Sequence, residues 1–327
     1  MRIAVDAMGG DHAPEKIVEG AVLAAREFTD TEFILVGEQE AVKRELAANR
    51  AEGLGNLSIT HAPEVLGMGD APVEAVRGKR NSSVTISVQL VAEGKAEAVF
   101  SAGNTGAAVA AATVLLKPLG GIKRSGIAVS FPTHFGTTTL IDVGANIHCH
   151  PIHLLQYAIM ATVYSQQILG IPNPRVGLLN IGTEDKKGNE LVRETRQLLE
   201  GHSRVNFLGN IEGYDIHRGV CDVVVCEGFV GNVILKVAEG LSCSLLDDVE
   251  EAFGKTSAGK TKECAVVLQQ LRRRNDYAEY GGAPLLGVDG ICIIGHGTSN
   301  ARAVFNALRV ARGFGGNHVI QHIAEAV

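Results

Sequence analysis

Short β-branched runs alternate with Ala/Leu/Glu-rich helical stretches along nearly the whole chain, and this alternation limits what it can fold into. The runs are "RIAVDA" (2–7), "EFILVG" (32–37), "LSIT" (57–60), "EAVFSA" (97–102), "GIAVS" (126–130), "TTLIDVG" (138–144), "RVGLLNIG" (175–182), "VNFLG" (205–209), "DVVVCEG" (222–228) and "GICIIGHG" (290–297). Several are apolar at consecutive positions, so both faces of those strands must be covered. Strands joined through helices pair in parallel, with the helices lying on both sides of the sheet. The expected fold is α/β: a three-layer α/β/α sandwich with a largely parallel sheet. No low-complexity linker or internal repeat breaks the pattern, so residues 1–327 are expected to form a single domain.

One stretch departs from the alternation. Between 229 and 280 no strand-like run occurs, and Ile234, Val237, Ala238, Leu241, Leu245, Val249 and Phe253 recur at three- and four-residue steps. Cys264, Val267, Leu268 and Leu271 repeat that spacing, which predicts a helical hairpin protruding from the sandwich. Its tip, "GKTSAGKT" (254–261), fits the phosphate-loop pattern G-x-x-x-x-G-K-[ST] at every position. That pattern holds phosphate only when a buried strand feeds the loop and a helix follows it. Here the helical, acidic "LLDDVEEAF" precedes it, so the segment is expected to be a hairpin tip.

Composition removes other classes. A net charge of −6 offers no domain-wide basic surface for nucleic acid. Six cysteines without a C-x-x-C pair suggest reduced, mostly buried thiols in a cytoplasmic protein. Asp6 interrupts the apolar N-terminal stretch, against a signal peptide, and the longest apolar run, 107–116, is too short to span a bilayer. Glycine is in excess, 39 in 327 residues against roughly 7% on average, which suggests tight turns where backbone N–H groups approach a ligand.

Open α/β sheets bind ligands at strand C-terminal ends. Six such ends carry small and polar residues together: "DAMGGDHAP" (6–14), "SAGNTGA" (101–107), "DVGANIH" (142–148), "NIGTEDKKGNE" (180–190), "CEGFVGN" (226–232) and "GHGTSN" (295–300). In "SAGNTGA", Asn104 or Thr105 can cap a helix whose free N–H groups favour an anion. The same segment also reads as an ordinary capped turn; several such ends sharing one edge favour a phosphate-sized site. Lys187 is the most suggestive cation near a strand end, with a solvated loop lysine as the alternative. No GxGxxG follows the first strand and no G-x-S-x-G elbow occurs, against a dinucleotide enzyme and a serine hydrolase. "HCHPIH" (148–153) invites a zinc reading, but Pro151 should start a helix with His150 at its cap, aiming the side chains apart. Neither metal nor cofactor is expected.

Together, "DAMGGDHAP", "SAGNTGA", "DVGAN", "NIGTEDKKGNE", "GNIEGYDI", "VVVCEGFVGNVILK", "GGAPLLGVDG" and "GHGTSNARA" resemble, in order, the bacterial phosphate acyltransferases. The resemblance runs from residue 3 to about 305 and implies transfer of a fatty acyl group from acyl carrier protein to orthophosphate. It further implies a fold similar to the isocitrate and isopropylmalate dehydrogenases and to phosphotransacetylase. A homodimer touching the membrane follows too, with a place in phospholipid synthesis that hands acyl phosphate to a glycerol-3-phosphate acyltransferase. Glu227 stands where the family usually has Asp, and His148 where an acidic residue is common.

The chemistry agrees. Orthophosphate is a competent nucleophile and a thiolate an adequate leaving group, so the enzyme must mainly position anions and stabilise an oxyanion. Asn104, Thr105 and Lys187 are expected to bind phosphate or oxyanion, with Asp6 and Glu227 orienting the donors or managing the phosphate proton and His296 a candidate acid/base. Gly9, Gly10, Ser101, Gly103, Gly106, Asn146, Gly228 and Asn232 complete the expected binding turns. Use of acyl-CoA in place of the carrier protein, or a non-catalytic scaffold for lipid-synthesis enzymes, are the rival readings. Lys255, Lys260, Lys262, Arg272, Arg273 and Arg274 make the hairpin basic, either to dock acidic carrier protein or lipid, or merely to balance Asp247, Asp248, Glu250 and Glu251.

Overall fold

A computed structural model of the chain describes residues 1–133, 136–256, 261–275 and 277–327, without the side chains of 131, 262, 274, 275, 277 and 278. Its strands are Arg2–Asp6 (β1), Glu32–Gly37 (β2), Leu57–His61 (β3), Ala98–Ser101 (β4), Gly126–Thr133 (β5), Gly136–Ile141 (β6), Arg175–Leu179 (β7), Asn206–Ile211 (β8), Val223–Val225 (β9), Ala283–Leu286 (β10) and Ile291–Ile294 (β11). Every run singled out in the sequence is a strand; β10 is the addition. The helices are Glu15–Glu27 (α1), Gln39–Ala48 (α2), Pro72–Gly78 (α3), Ser83–Ala92 (α4), Thr105–Leu115 (α5), Pro151–Gln167 (α6), Glu190–Leu199 (α7), Gly228–Gly254 (α8), Lys262–Asn275 (α9), Tyr277–Tyr280 (α10), Ala301–Gly316 (α11) and Val319–Ala326 (α12).

All the strands join one sheet in the order β3-β2-β1-β4-β11-β10-β5-β6-β9-β7-β8. Successive strand residues feed opposite faces: Ile291 and Ile293 enter one core with α1, α6, α11 and α12, while Cys292 and Ile294 enter a second with α4, α5 and the start of α8. This is the expected three-layer α/β/α sandwich.

The strand directions correct one expectation. β10 is antiparallel to β11 and to β5, and β5 is antiparallel to β6. These three reversals leave β6, β9, β7 and β8 running against β3, β2, β1, β4 and β11. The glycine-rich turns therefore do not share one edge. Those after β1, β4 and β11 lie at one edge, and those after β6, β7 and β9 at the other. α8 links the two, because it starts at the end of β9 and runs back across the sheet.

The hairpin forms from α8 and α9, and Gly254 ends α8, so a helix and not a strand leads into the phosphate-loop look-alike. Its residues 257–260, Lys260 among them, lie outside the described residues. Arg272 forks onto Glu250 at 2.6 and 2.7 Å and reaches Asp247 at 2.7 Å, and Lys255 pairs with Glu251. Those two cations balance neighbouring acids. The apolar stripe of α8 is largely uncovered: Val237, Leu241, Leu245 and Phe253 are exposed, as are Val266, Val267 and Leu271 of α9. By length and composition α8 could cross a bilayer, and only 11% of its apolar window is buried. The cysteines are less buried than expected: Cys221, Cys226 and Cys292 are in the core, Cys149 and Cys264 are half-buried, and Cys243 is exposed.

Candidate functional site

The turns after β1, β4 and β11 are tied together from below. Asp6, the last residue of β1, is buried, and its Oδ2 accepts a 2.6 Å hydrogen bond from Ser101 Oγ at the end of β4. Burial pushes the Asp6 carboxyl above its ordinary range, against the pull of bonds from Ser101, Ser83 and the N–H groups of Met8 and Gly9. Gly9 has to lack a side chain, because a Cβ there would meet Asp6 Oδ2 at 2.5 Å and Gly103 N at 2.8 Å. Above this layer Asp11 N–H donates to Gly297 O (2.8 Å), and Gly295 N–H donates to Ser101 O (2.8 Å). Gly10, at φ +116°, lies against Gly297 and Ala102.

Asn104 is the N-cap of α5, as its sequence position predicts, but its side chain is fully committed. Oδ1 accepts from Ala107 N–H (3.0 Å), while Nδ2 donates to Met68 O (3.0 Å) and Asp70 O (3.1 Å). Asn104 therefore fixes the helix start to the 67–70 loop and has no donor left for an anion. The expectation of a direct contact gives way to a positioning one. Thr105, the first helical residue, is exposed and lines a cavity. Gly106 packs under Pro72, which a Cβ would meet at 2.6 Å.

The cavity measures about 360 Å³. Its floor is apolar: Ile127 and Val129 of β5, Ala283 of β10, Ile294 of β11, and Leu235 and Ala238 of α8. Thr105, Asp11, His296 and Gly297 rim it from the β1–β4–β11 edge, and Asn232, Lys236 and Glu239 rim it from α8. Asn232, Lys236 and Glu239 follow the i, i+4, i+7 spacing that puts side chains on one helix face. Lys236 Nζ lies 2.8 Å from both His296 Nε2 and Glu239 Oε2. Burial first, and then the Lys236 charge, lower the affinity of His296 for a proton. Lys236 had no part in the sequence-based site, although its spacing from Asn232 was there to be seen.

A second polar group forms at the opposite edge. Asp142, fully buried at the end of β6, accepts backbone N–H bonds from Ile127, Gly144, Ala145 and Asn146 at 2.8–3.1 Å. Asn146 Nδ2 donates to Ser125 O (2.6 Å) and to Tyr157 Oη (2.9 Å). Glu227 is the N-cap of α8, its carboxylate accepting from Phe229 N–H (2.7 Å) and Val230 N–H (3.0 Å), and Gly228 N–H donates to Asn146 O (2.8 Å). The longer Glu side chain thus still caps the helix. Lys187 is displaced furthest from its expected role. It is exposed in the loop after β7, beside Gly182, at the edge opposite Thr105 and outside the cavity lining. His148 is exposed, Pro151 opens α6, and His150 N–H donates to His153 Nδ1 (3.1 Å).

Two kinds of relative match. A phosphate acyltransferase of Desulforamulus reducens is 50% identical over 313 residues, covering 95% of this chain and 93% of its own. One from Geobacter sulfurreducens is 48% identical over 327 residues, covering 99% and 94%. Among solved structures, a phosphotransacetylase from Streptococcus pyogenes superposes with a TM-score of 0.62 at 18% identity, over 100% of this chain and 94% of that one, a likeness of fold. The family model described as "Fatty acid synthesis protein" matches residues 1–322, and the chain belongs to that family.

Proposed function

We propose that the protein is a phosphate acyltransferase that moves a long-chain fatty acyl group from acyl carrier protein to orthophosphate, yielding acyl phosphate for phospholipid synthesis. The supporting observation is the composition of the cavity: an apolar floor suited to an acyl chain meets, at its rim, the N-terminus of α5 and a lysine. N–H groups of a helix's first turn and a cation are what an attacking phosphate and a tetrahedral oxyanion require. In this reading Thr105 and the first-turn N–H groups touch the anion. Asp6, Ser101, Asn104 and the surrounding glycines hold those donors in place, and Glu227 with Asn146 sets the start of α8.

Incubation of the protein with palmitoyl acyl carrier protein and labelled phosphate is expected to release labelled acyl phosphate, with short acyl-CoA a poor donor. No acyl phosphate from either donor would overturn the reading. Transfer from acyl-CoA alone would move the enzyme to the phosphotransacetylase class.

The same reading includes a cytoplasmic homodimer with peripheral contact to anionic membrane, close to the glycerol-3-phosphate acyltransferase that consumes its product. The uncovered apolar stripe Val237–Leu241–Leu245 supports the dimer, since a stripe of this size seldom stays solvated. Leu241→Asp with Leu245→Asp is expected to turn a dimeric elution volume into a monomeric one while the monomer stays folded. An unchanged dimer, measured by light scattering, would show that the stripe serves another contact.

A further inference from the structure

The pair Lys236–His296 is not explained by helix capping, turn geometry or core packing. An ammonium has only donors, so a 2.8 Å contact between Lys236 Nζ and His296 Nε2 makes Nε2 a bare acceptor. The ring proton then sits on Nδ1 and is donated to Thr298 Oγ1, 2.8 Å away. Thr298 N–H also approaches Nδ1, at 3.3 Å, which alone would favour the other tautomer. That tautomer would point Nε2–H at the ammonium, so the shorter, charged contact decides. Glu239 takes a second proton of the ammonium at 2.8 Å. Lys236 is half-exposed and on the cavity rim that Thr105 shares, so its head can leave His296 for a ligand without repacking the core.

We propose that Lys236 is the cation that binds orthophosphate in this cavity, and that its transfer from His296 to phosphate uncovers Nε2 as the base of the reaction. This rests on the phosphate acyltransferase reading. At rest the lysine masks the imidazole. When hydrogen phosphate enters, Lys236 turns onto its oxygens, and Nε2 faces the remaining P–OH. A phosphate oxygen attacks the thioester carbon; the new C–O bond forms and the C–S bond breaks through the tetrahedral oxyanion. The phosphate proton passes to Nε2 and from there to the leaving sulfur, so acyl phosphate and free thiol result with no net proton on the enzyme. Glu239 keeps the lysine aimed along the rim. Among the described residues, the charged and titratable groups around the imidazole are Lys236 and Glu239 from α8 and Asp11 from the β1 turn, with His217 and Tyr280 lining the same cavity.

Lys236→Met is the test, with Lys236→Arg as the variant that keeps the charge. In Lys236→Met, kcat/KM for phosphate is expected to fall about a hundredfold, the usual loss for one such donor, with KM for the acyl donor unchanged. Removing the neighbouring cation also lets His296 bind a proton more readily. With the titration of phosphate itself divided out, the acidic limb of the kcat/KM profile should therefore shift to higher pH in Lys236→Met and disappear in His296→Gln. Lys236→Arg should recover most of the phosphate affinity. A structural role for Lys236 would leave kcat/KM for phosphate unchanged in Lys236→Met, and a structural role for His296 would leave the limb in place in His296→Gln.

Two measurements stand apart from turnover: the NMR titration of His296, and the change in its ring signals on adding inorganic phosphate. If the protein transfers no acyl group but phosphate still perturbs His296 in the parent and not in Lys236→Met, only the reaction class is wrong. If acyl transfer is present while phosphate KM, the acidic limb and the His296 titration are all unmoved by Lys236→Met, the assignment of Lys236 is overturned.

Discussion

Gly231→Ala is expected to unfold the protein or to destabilise it by at least about 3 kcal/mol, the upper range for forced overpacking. A Cβ at 231 would stand 1.9 Å from the Asp142 carbonyl oxygen and 3.0 Å from Cys226 Sγ. Neither neighbour can yield. The carbonyl belongs to a residue whose carboxylate holds four backbone N–H groups, and Cys226 is buried at the end of the adjoining strand. The only relief is to lift the first turns of α8 off the sheet, which also carries Asn232 and Lys236 away from the cavity. Gly240→Ala, on the same helix with nothing within 4 Å of the added methyl, is expected to have the opposite sign. It should raise stability by roughly 0.5–1 kcal/mol through helix propensity alone. Chemical denaturation of the two variants checks both signs, and a Gly231→Ala protein as stable as its parent would contradict the tight seating of α8.

The strand positions were legible because continuous β-branched runs between helical patterns leave little choice. The direction of the strands was less so. β10, "APLL", is four residues long with a proline and flanking glycines, which is turn chemistry as much as strand chemistry. Nothing in it favours strand over turn, yet with β5 it lies between the two halves of the sheet. The β5–β6 reversal did have a signal: in the sequence only residues 131–137 separate the two runs, too few for the crossover that parallel pairing needs. With that reversal missed, glycine-rich turns from both edges were placed at one, and Lys187 was grouped with Thr105.

Side-chain roles were blurred for a different reason. Asn at a helix start caps the helix, or binds a ligand, or does both, and spacing alone does not tell which. The carbonyls of Met68 and Asp70 that occupy Asn104 come from 34–36 residues away. Glu227 is a similar case, since its carboxylate is used by the first N–H groups of α8. Asp142 opens the motif "DVGAN", but its role as an anchor is not legible there, because its burial and its four N–H partners exist only in three dimensions. The hairpin's periodicity correctly gave two helices, yet an apolar stripe in sequence does not say whether the covering surface belongs to the same chain.

Thr105→Pro isolates the contribution of backbone N–H at the proposed anion site, and about a hundredfold loss in kcat/KM for phosphate is expected. Proline is tolerated as the first residue of a helix, where its fixed φ is already helical and its missing N–H has no partner within the helix. The residue before it must be extended, and Asn104, at φ −59° and ψ 111°, is close to that requirement. Its cap onto Ala107 N–H and its hold on the 67–70 loop are untouched, so α5 should start where it does now. What disappears is one donor at the positive end of the helix, together with the threonine hydroxyl. Thr105→Ala removes the hydroxyl alone and is expected to cost only a few-fold. The difference between the two variants is the N–H, provided their circular dichroism and melting temperatures match. Equal phosphate kinetics in the Pro and Ala variants would show that the anion is not held at the N-terminus of α5. The cavity's phosphate would then have to rest on Lys236 and its neighbours alone.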